Sequence, residues 1–125
     1  MDKTFIDGER ARRSKSGAVS LGDIMTMIDN KSTFGGLAGQ ELSRNEAGLV
    51  EHARRTCSML GISVDAWHQA VGTMGRIGAA AAIASIDAKG KRVHNPGGYL
   101  RGMTSKAAKG ELRLARTINY YSRRS

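Results

Sequence analysis

The side chains that most often perform catalysis or hold metal ions are few and scattered in this sequence. The single cysteine, Cys57, falls on the apolar side of a predicted helix, where a buried thiol is unreactive. The histidines His52, His68 and His94 are far apart, and we expect each to be a surface or capping residue. Asp87 is an isolated carboxylate. The types and spacings of these residues predict that the protein is not an enzyme and binds neither a metal nor a cofactor. The catalytic alternative is a cleft in which the side chain of His52, Cys57 or His68 lies close to a carboxylate.

Positive charge is the more informative chemistry. The 125 residues carry a net charge of +9, and residues 91–125 hold nine basic residues against one acidic residue, a net +8. A cationic ridge there favours polyanionic partners and salt-dependent phosphate contacts; the alternative is a solvated helical face. For reading bases, the candidates are Arg101, Ser105 and Lys109. The predicted nucleic-acid-binding residues are Arg92, Arg101, Lys106, Lys109, Arg113, Arg116, Arg123 and Arg124.

Helices must position these side chains, because apolar residues recur at spacings of three and four and no stretch alternates as a strand does. Ser20 can cap a first short helix. A capping box formed by Ser43 and Glu46 precedes a long second helix, which Gly61 ends.

A third helix is predicted after Ser63, its capping residue. Its inward positions are Val64, Trp67 and Val71. Three glycines in residues 72–78 indicate a turn, since no strand precedes them and a dinucleotide-binding loop would need one. Residues 79–88 are apolar on nearly every side, which predicts a helix surrounded by other helices.

Two further helices are predicted in the basic third of the chain. Asn95 and Pro96 are typical of a helix start, and Gly110 indicates its end. Its apolar stripe is Tyr99, Leu100, Met103 and Ala107. The last helix covers residues 111–121, with Leu114, Ile118 and Tyr121 facing inward.

The fold class is therefore all-α, a compact single domain of five or six short helices. We divide the chain into a flexible basic arm or linker at residues 1–19, a helical domain at residues 20–121 and a basic tail at residues 122–125. The arm is either a nucleic-acid arm or a solvated tail. The absence of a long apolar run, a secretory signal and a second cysteine favours a cytoplasmic protein without a membrane partner.

Several segments resemble the C-terminal region of replication protein C (RepC), the initiator of alphaproteobacterial repABC plasmids. The most specific motif comprises Asn95, Pro96, Gly97, Gly98, Tyr99, Leu100 and Arg101. Further matching segments are residues 60–63, 66–67, 74–75, 79–86 and 107–112. The resemblance covers about residues 20–121. Two glycines in the first turn lower the stability of a helix, so another interaction should compensate for them. That interaction is either close packing against another helix or the binding of a phosphate at the helix N-terminus.

The resemblance implies a non-enzymatic C-terminal or accessory domain of an initiator that acts in plasmid replication initiation and copy control. The winged-helix region that usually reads the origin in this family precedes such a domain and is not part of this sequence. The implied partners are plasmid origin DNA, bound with or without sequence specificity, and replication proteins or a full-length initiator; a homodimer is also open. The alternative is a stand-alone module that docks on an initiator or a replisome component without binding DNA.

Overall fold

The computed structural model describes residues 20–33 and 35–123, and every regular element within these ranges is helical. The all-α prediction is therefore confirmed. The predicted arm at residues 1–19, Phe34 and Arg124 lie outside the described residues. The helices are α1 (Leu21–Lys31), α2 (Glu46–Leu60), α3 (Val64–Lys89), α4 (Pro96–Ala108) and α5 (Ala115–Arg123), with a short 3-10 turn at Gly90–Arg92.

Side-chain caps begin the helices at or near the predicted positions. The hydroxyls of Ser20 and Ser63 accept hydrogen bonds from the third residue of α1 and α3, as predicted. The predicted cap of α2 is wrong by two residues, because Asn45 and not Ser43 accepts the N–H of Gly48, at 3.0 Å. Gly61 ends α2 in the left-handed conformation, with φ 74°, as its position predicted.

Helix α3 is the central element of the fold. Every residue from 79 to 87 is buried, and α3 contacts α1, α2, α4 and α5. Because most of these residues are alanines, the surrounding helices can approach the α3 backbone closely. The prediction of a surrounded helix is confirmed.

The first half of α3 differs from the prediction in two places. The turn expected at residues 72–78 is wrong in extent, because the helix continues and only Gly75, with φ 80° and ψ 168°, leaves helical geometry. This single glycine produces a kink between two helical halves. Val64 was expected to face inward but is 68% exposed, since the buried side of this half is formed by Ala66, Trp67 and Ala70.

The two C-terminal helices pack on different partners. Helix α4 packs on α3 through buried Leu100 and Met103, whereas α5 packs chiefly on α1 through buried Ile118 and Tyr121. Tyr99, predicted in the apolar stripe of α4, is 40% exposed. The last helix begins at Ala115, four residues later than predicted, and continues to Arg123.

Among the residues that the structure describes, no helix combines the length and the apolar character needed to cross a bilayer.

Candidate functional site

His52 is a core residue and does not lie on the surface, so the prediction of a surface or capping histidine is wrong. It is 1% exposed, and the side-chain amide of Gln40 lies 2.8 Å from its Nδ1. The same amide nitrogen donates to the carbonyl of Gly35 at 2.7 Å, which fixes the NH2 group of Gln40 towards both partners. Nδ1 is therefore an acceptor, and the proton lies on Nε2, which faces the Thr56 hydroxyl at 3.4 Å.

This histidine is held in its neutral form. Burial is the largest cause that lowers its pKa from the ordinary 6.5, and the nearby Arg55 lowers it further. Asp87 and, more weakly, Asp29 act in the opposite direction. Because neutral His52 accepts a hydrogen bond from Gln40, it holds the connection between α1 and α2 against α2.

Two carboxylates brace the same connection. Asp87, predicted to be isolated, is 3% exposed and accepts the backbone N–H of Thr33, at 3.2 Å from Oδ2. Asp29 of α1 accepts the N–H of Leu37 at 3.2 Å and pairs with Arg44 at 2.6 Å. These carboxylates compensate backbone donors in a segment that forms no helix of its own.

The thiol of Cys57 is buried, as its place on the apolar stripe predicted. Burial raises its pKa to about 11, so the nucleophilic thiolate is scarce near neutral pH. His68 is exposed on α3. Within residues 20–33 and 35–123, no group of three or more His, Cys, Asp or Glu side chains is placed to hold a metal ion.

The basic residues of the last third have the opposite environment. All of the predicted binding residues that the structure describes have exposed side chains: Arg92, Arg101, Lys106, Lys109, Arg113, Arg116 and Arg123. The ion pairs in the described part of the chain use other arginines, Arg44, Arg55 and Arg76. The described cations after Gly90 are thus not neutralised by carboxylates.

Two of these arginines join elements of the fold. Arg92 donates to the hydroxyl of Tyr121 at 2.9 Å, which links the 3-10 turn to α5. Arg101 of α4 donates to the hydroxyl of Ser63 at 3.4 Å, which links α4 to the N-terminus of α3. The predicted cations of α4 and those of α5 therefore lie on helices that pack on different partners, while Arg92 and Arg113 lie outside both helices.

Helix α5 carries a polar side that sequence reasoning did not single out in full. We call Arg116, Asn119, Tyr120 and Arg123 the α5 outer face; all four are exposed and together they line an open depression. Asn119 and Tyr120 were not predicted. Asn119, Tyr120 and Arg123 follow Arg116 by three, four and seven residues, and so lie on the side of α5 opposite Ile118 and Tyr121. This helical spacing was the signal that could have found Asn119 and Tyr120.

The glycine pair of the family motif has a local explanation. Asn95 caps α4 by accepting the N–H of Gly98 at 3.1 Å. A Cβ at Gly98 would lie 2.9 Å from Nδ2 of Asn95, and the one atom near a Cβ at Gly97 is Oδ1 of Asn95, at 3.8 Å. Gly98 therefore leaves room for the cap, and the nearest atoms give no support to packing against another helix.

The sequence of this chain is similar to those of a known protein family. A family model described as the replication protein C C-terminal region matches residues 23–124. A protein of Rhizobium rhizogenes that carries the name replication protein C is 33% identical over 110 residues. The alignment covers 88% of this chain and 26% of that relative, so the chain spans about a quarter of the relative's length. No solved structure matches the chain.

Proposed function

The chain belongs to the family of the replication protein C C-terminal region, and on that premise we propose that it is a non-enzymatic domain of a plasmid replication initiator that contacts DNA and partner proteins. In this proposal it contributes to replication initiation and copy control in the cytoplasm, at the plasmid. The resemblance found in the sequence, which centres on the motif at residues 95–101, agrees with the family match.

One observation carries the DNA part of the proposal. The eight described cations after Gly90 are exposed and form no ion pair with a carboxylate, and Glu111 is the single acidic residue from 91 to 125. Such side chains would displace the cations condensed along the phosphates of DNA, and the release of those ions favours binding. Arg124, outside the described residues, extends the same run of positive charge.

The absence of catalysis is supported by the places of the reactive groups. His52 and Asp87 are engaged by the α1–α2 connection, and the buried Cys57 has a raised pKa. An acid, base or nucleophile must reach its substrate, which these three side chains do not do from the core.

Fluorescence anisotropy of the whole chain with a labelled duplex tests the proposal. We would titrate a duplex derived from a repABC plasmid origin and a scrambled duplex of equal composition, each at about 50 and 200 mM salt. Saturable binding that weakens steeply with salt supports DNA contact. Tighter binding to the origin duplex would add sequence specificity, whereas no binding at either salt concentration overturns the DNA part.

A second candidate is a protein-interaction module that does not bind DNA. It is favoured by two large apolar side chains exposed at the junction of α2 and α3, Met59 at 64% and Val64 at 68%. Full-length initiator, a replication protein or a second copy of the chain would cover them. Light scattering of the chain alone and mixed with full-length initiator, compared with the variant Met59→Ser/Val64→Ser, distinguishes these partners, and loss of complex in the variant supports the module.

A further inference from the structure

We propose that the α5 outer face is the surface through which this chain binds duplex DNA, so that α5 and not α4 supplies most of the affinity. This inference rests on the proposed DNA contact and assigns it to particular residues. It adds Asn119 and Tyr120 to the contact surface and gives Arg92 and Arg101 positioning roles.

The inner side of α5 is fixed by several independent contacts. Ile118 and Tyr121 are buried, and α5 packs on α1. The side-chain amide of Asn30 in α1 donates to the carbonyls of Tyr121 and Ser122, both at 3.2 Å, and so satisfies acceptors in the last turn of α5. Arg92 donates to the Tyr121 hydroxyl from the other side. A rigidly held helix presents its opposite side in one orientation, which lowers the entropic cost of binding.

The outer side of this helix offers groups that bind DNA. Arg116 and Arg123 are seven residues apart, so about 10 Å of helix separates their Cα atoms along its axis. That length is comparable to the major groove, which is about 12 Å wide and admits an α-helix. Asn119 and Tyr120 lie between the two arginines; amide and phenol groups donate to phosphate oxygens, and an amide also pairs with base edges.

Charge complementarity favours a polyanion as the occupant of this face. No acidic residue occurs after Glu111, and Arg113 lies just before the helix. The open depression that Arg116, Asn119, Tyr120 and Arg123 line is therefore bordered by positive charge and by neutral donors. An acidic protein surface would also satisfy the two arginines, but a duplex offers them phosphates together with base edges with which the amide of Asn119 can pair.

Helix α4 is the poorer contact surface, although α4 and its C-cap carry three predicted cations and α5 carries two. Arg101 is directed to Ser63 and helps to hold α4 on α3. Lys106 lies in the last turn of α4. Lys109 is its C-cap residue, two residues before Glu111. A lysine is a point charge without the forked geometry of arginine, so this end offers weaker phosphate recognition.

The decisive experiment compares two variants that lose the same charge. Arg116→Gln/Arg123→Gln removes two cations from the α5 outer face, and Lys106→Gln/Lys109→Gln removes two from α4. Affinity for a 24-base-pair duplex of mixed sequence is measured between about 50 and 200 mM salt. We expect the α5 variant to lower the slope of log Kd against log salt by about two, while the α4 variant changes it by less than about one.

Three controls separate the possible failures. Circular dichroism must show unchanged helicity, and Arg116→Lys/Arg123→Lys, which keeps both charges, should retain most of the salt slope. If the original chain binds no duplex, the proposed DNA contact fails; if it binds but the two glutamine variants behave alike, only the α5 assignment fails. A single strand that binds tighter than the duplex and is lost with Tyr120→Leu would also overturn the inference, because stacking on Tyr120 would then be the contact.

Discussion

The interior around α3 and the surface of the last third differ in what their charged and reactive side chains do. Inside, His52, Cys57 and Asp87 are buried. The hydrogen bonds of His52 and Asp87 hold the α1–α2 connection in place. Outside, the described cations after Gly90 are exposed and make no ion pair. His52 and Asp87 therefore have structural roles in this fold, whereas the exposed charges of the last third are accessible to a partner.

The comparison separates stability from binding. Substitutions in the interior should change the free energy of unfolding, whereas substitutions on the α5 outer face should change DNA affinity and leave that free energy unchanged. Four predictions, ordered by the size of the expected change in stability, test this separation.

The largest change is expected when the alanine-rich half of α3 is overpacked. Ala82 is fully buried, so Ala82→Leu adds three carbons where neighbouring helices leave no space. We expect a loss of about 3 kcal/mol in the free energy of unfolding, measured by urea denaturation. The matched control is Ala47→Leu, an exposed position in α2, which should change it by less than about 0.5 kcal/mol. Equal effects at the two sites would show that α3 is not closely packed.

The next change concerns two helical glycines with different surroundings. A Cβ at Gly48 would overlap the backbone carbonyl of Ser43, so Gly48→Ala must displace the segment before α2. We expect a loss of about 2 kcal/mol. At Gly72 nothing lies within 4 Å of an added Cβ, so Gly72→Ala should raise the free energy of unfolding by about 0.5–1 kcal/mol through helix propensity. A Gly48→Ala variant as stable as the original chain would contradict the described entry to α2, and destabilisation by Gly72→Ala would contradict the open surroundings of Gly72.

A smaller change should follow pH, because His52 is held neutral. Its pKa is lower in the folded chain than the ordinary 6.5, chiefly through burial, so the unfolded chain binds more protons below that pH. The stabilisation is fully present above about pH 6.5 and is lost as the pH falls towards the folded pKa. The attraction of Asp87 and Asp29 for a charged His52, against the opposing Arg55, limits the loss.

The pH test compares denaturation of the original chain and of His52→Gln at pH 7.5, 6.5 and 5.5. Glutamine does not titrate, so the decline in the free energy of unfolding towards low pH should be shallower in the variant. His68→Gln, at an exposed position, serves as the control and should decline like the original chain. If the free energy of unfolding declines equally with falling pH in all three proteins, folding does not lower the pKa of His52.

Local signals in the sequence predicted much of the fold. The caps at Ser20 and Ser63, the end of α2 at Gly61 and the buried Cys57 and Trp67 each depend on residues within one or two turns. Such features are specified by the side chains that form them, so spacing alone is enough to predict them.

The errors arose where distant segments decide the outcome. His52 has polar neighbours in sequence and was placed on the surface, but the α1–α2 connection covers it and supplies Gln40 as its partner. Asp87 is likewise buried by a contact with Thr33, 54 residues away in sequence. The basic residues of α4 and those of α5 lie on helices that pack on different partners, chiefly α3 and α1, and no local pattern contains that information.

The smallest effect on stability is expected at the proposed contact surface itself. Arg116 and Arg123 are exposed and form no ion pair, so Arg116→Gln/Arg123→Gln should change the free energy of unfolding by less than about 0.5 kcal/mol. Arg92→Gln is the comparison variant: it removes one exposed charge where the α5 variant removes two, but it breaks the hydrogen bond to Tyr121 and should lower stability by up to about 1 kcal/mol. Urea denaturation of the two variants beside the original chain measures both values. If the α5 double variant proves the less stable of the two, these arginines hold the fold together, and a loss of DNA affinity in that variant no longer locates the contact on α5.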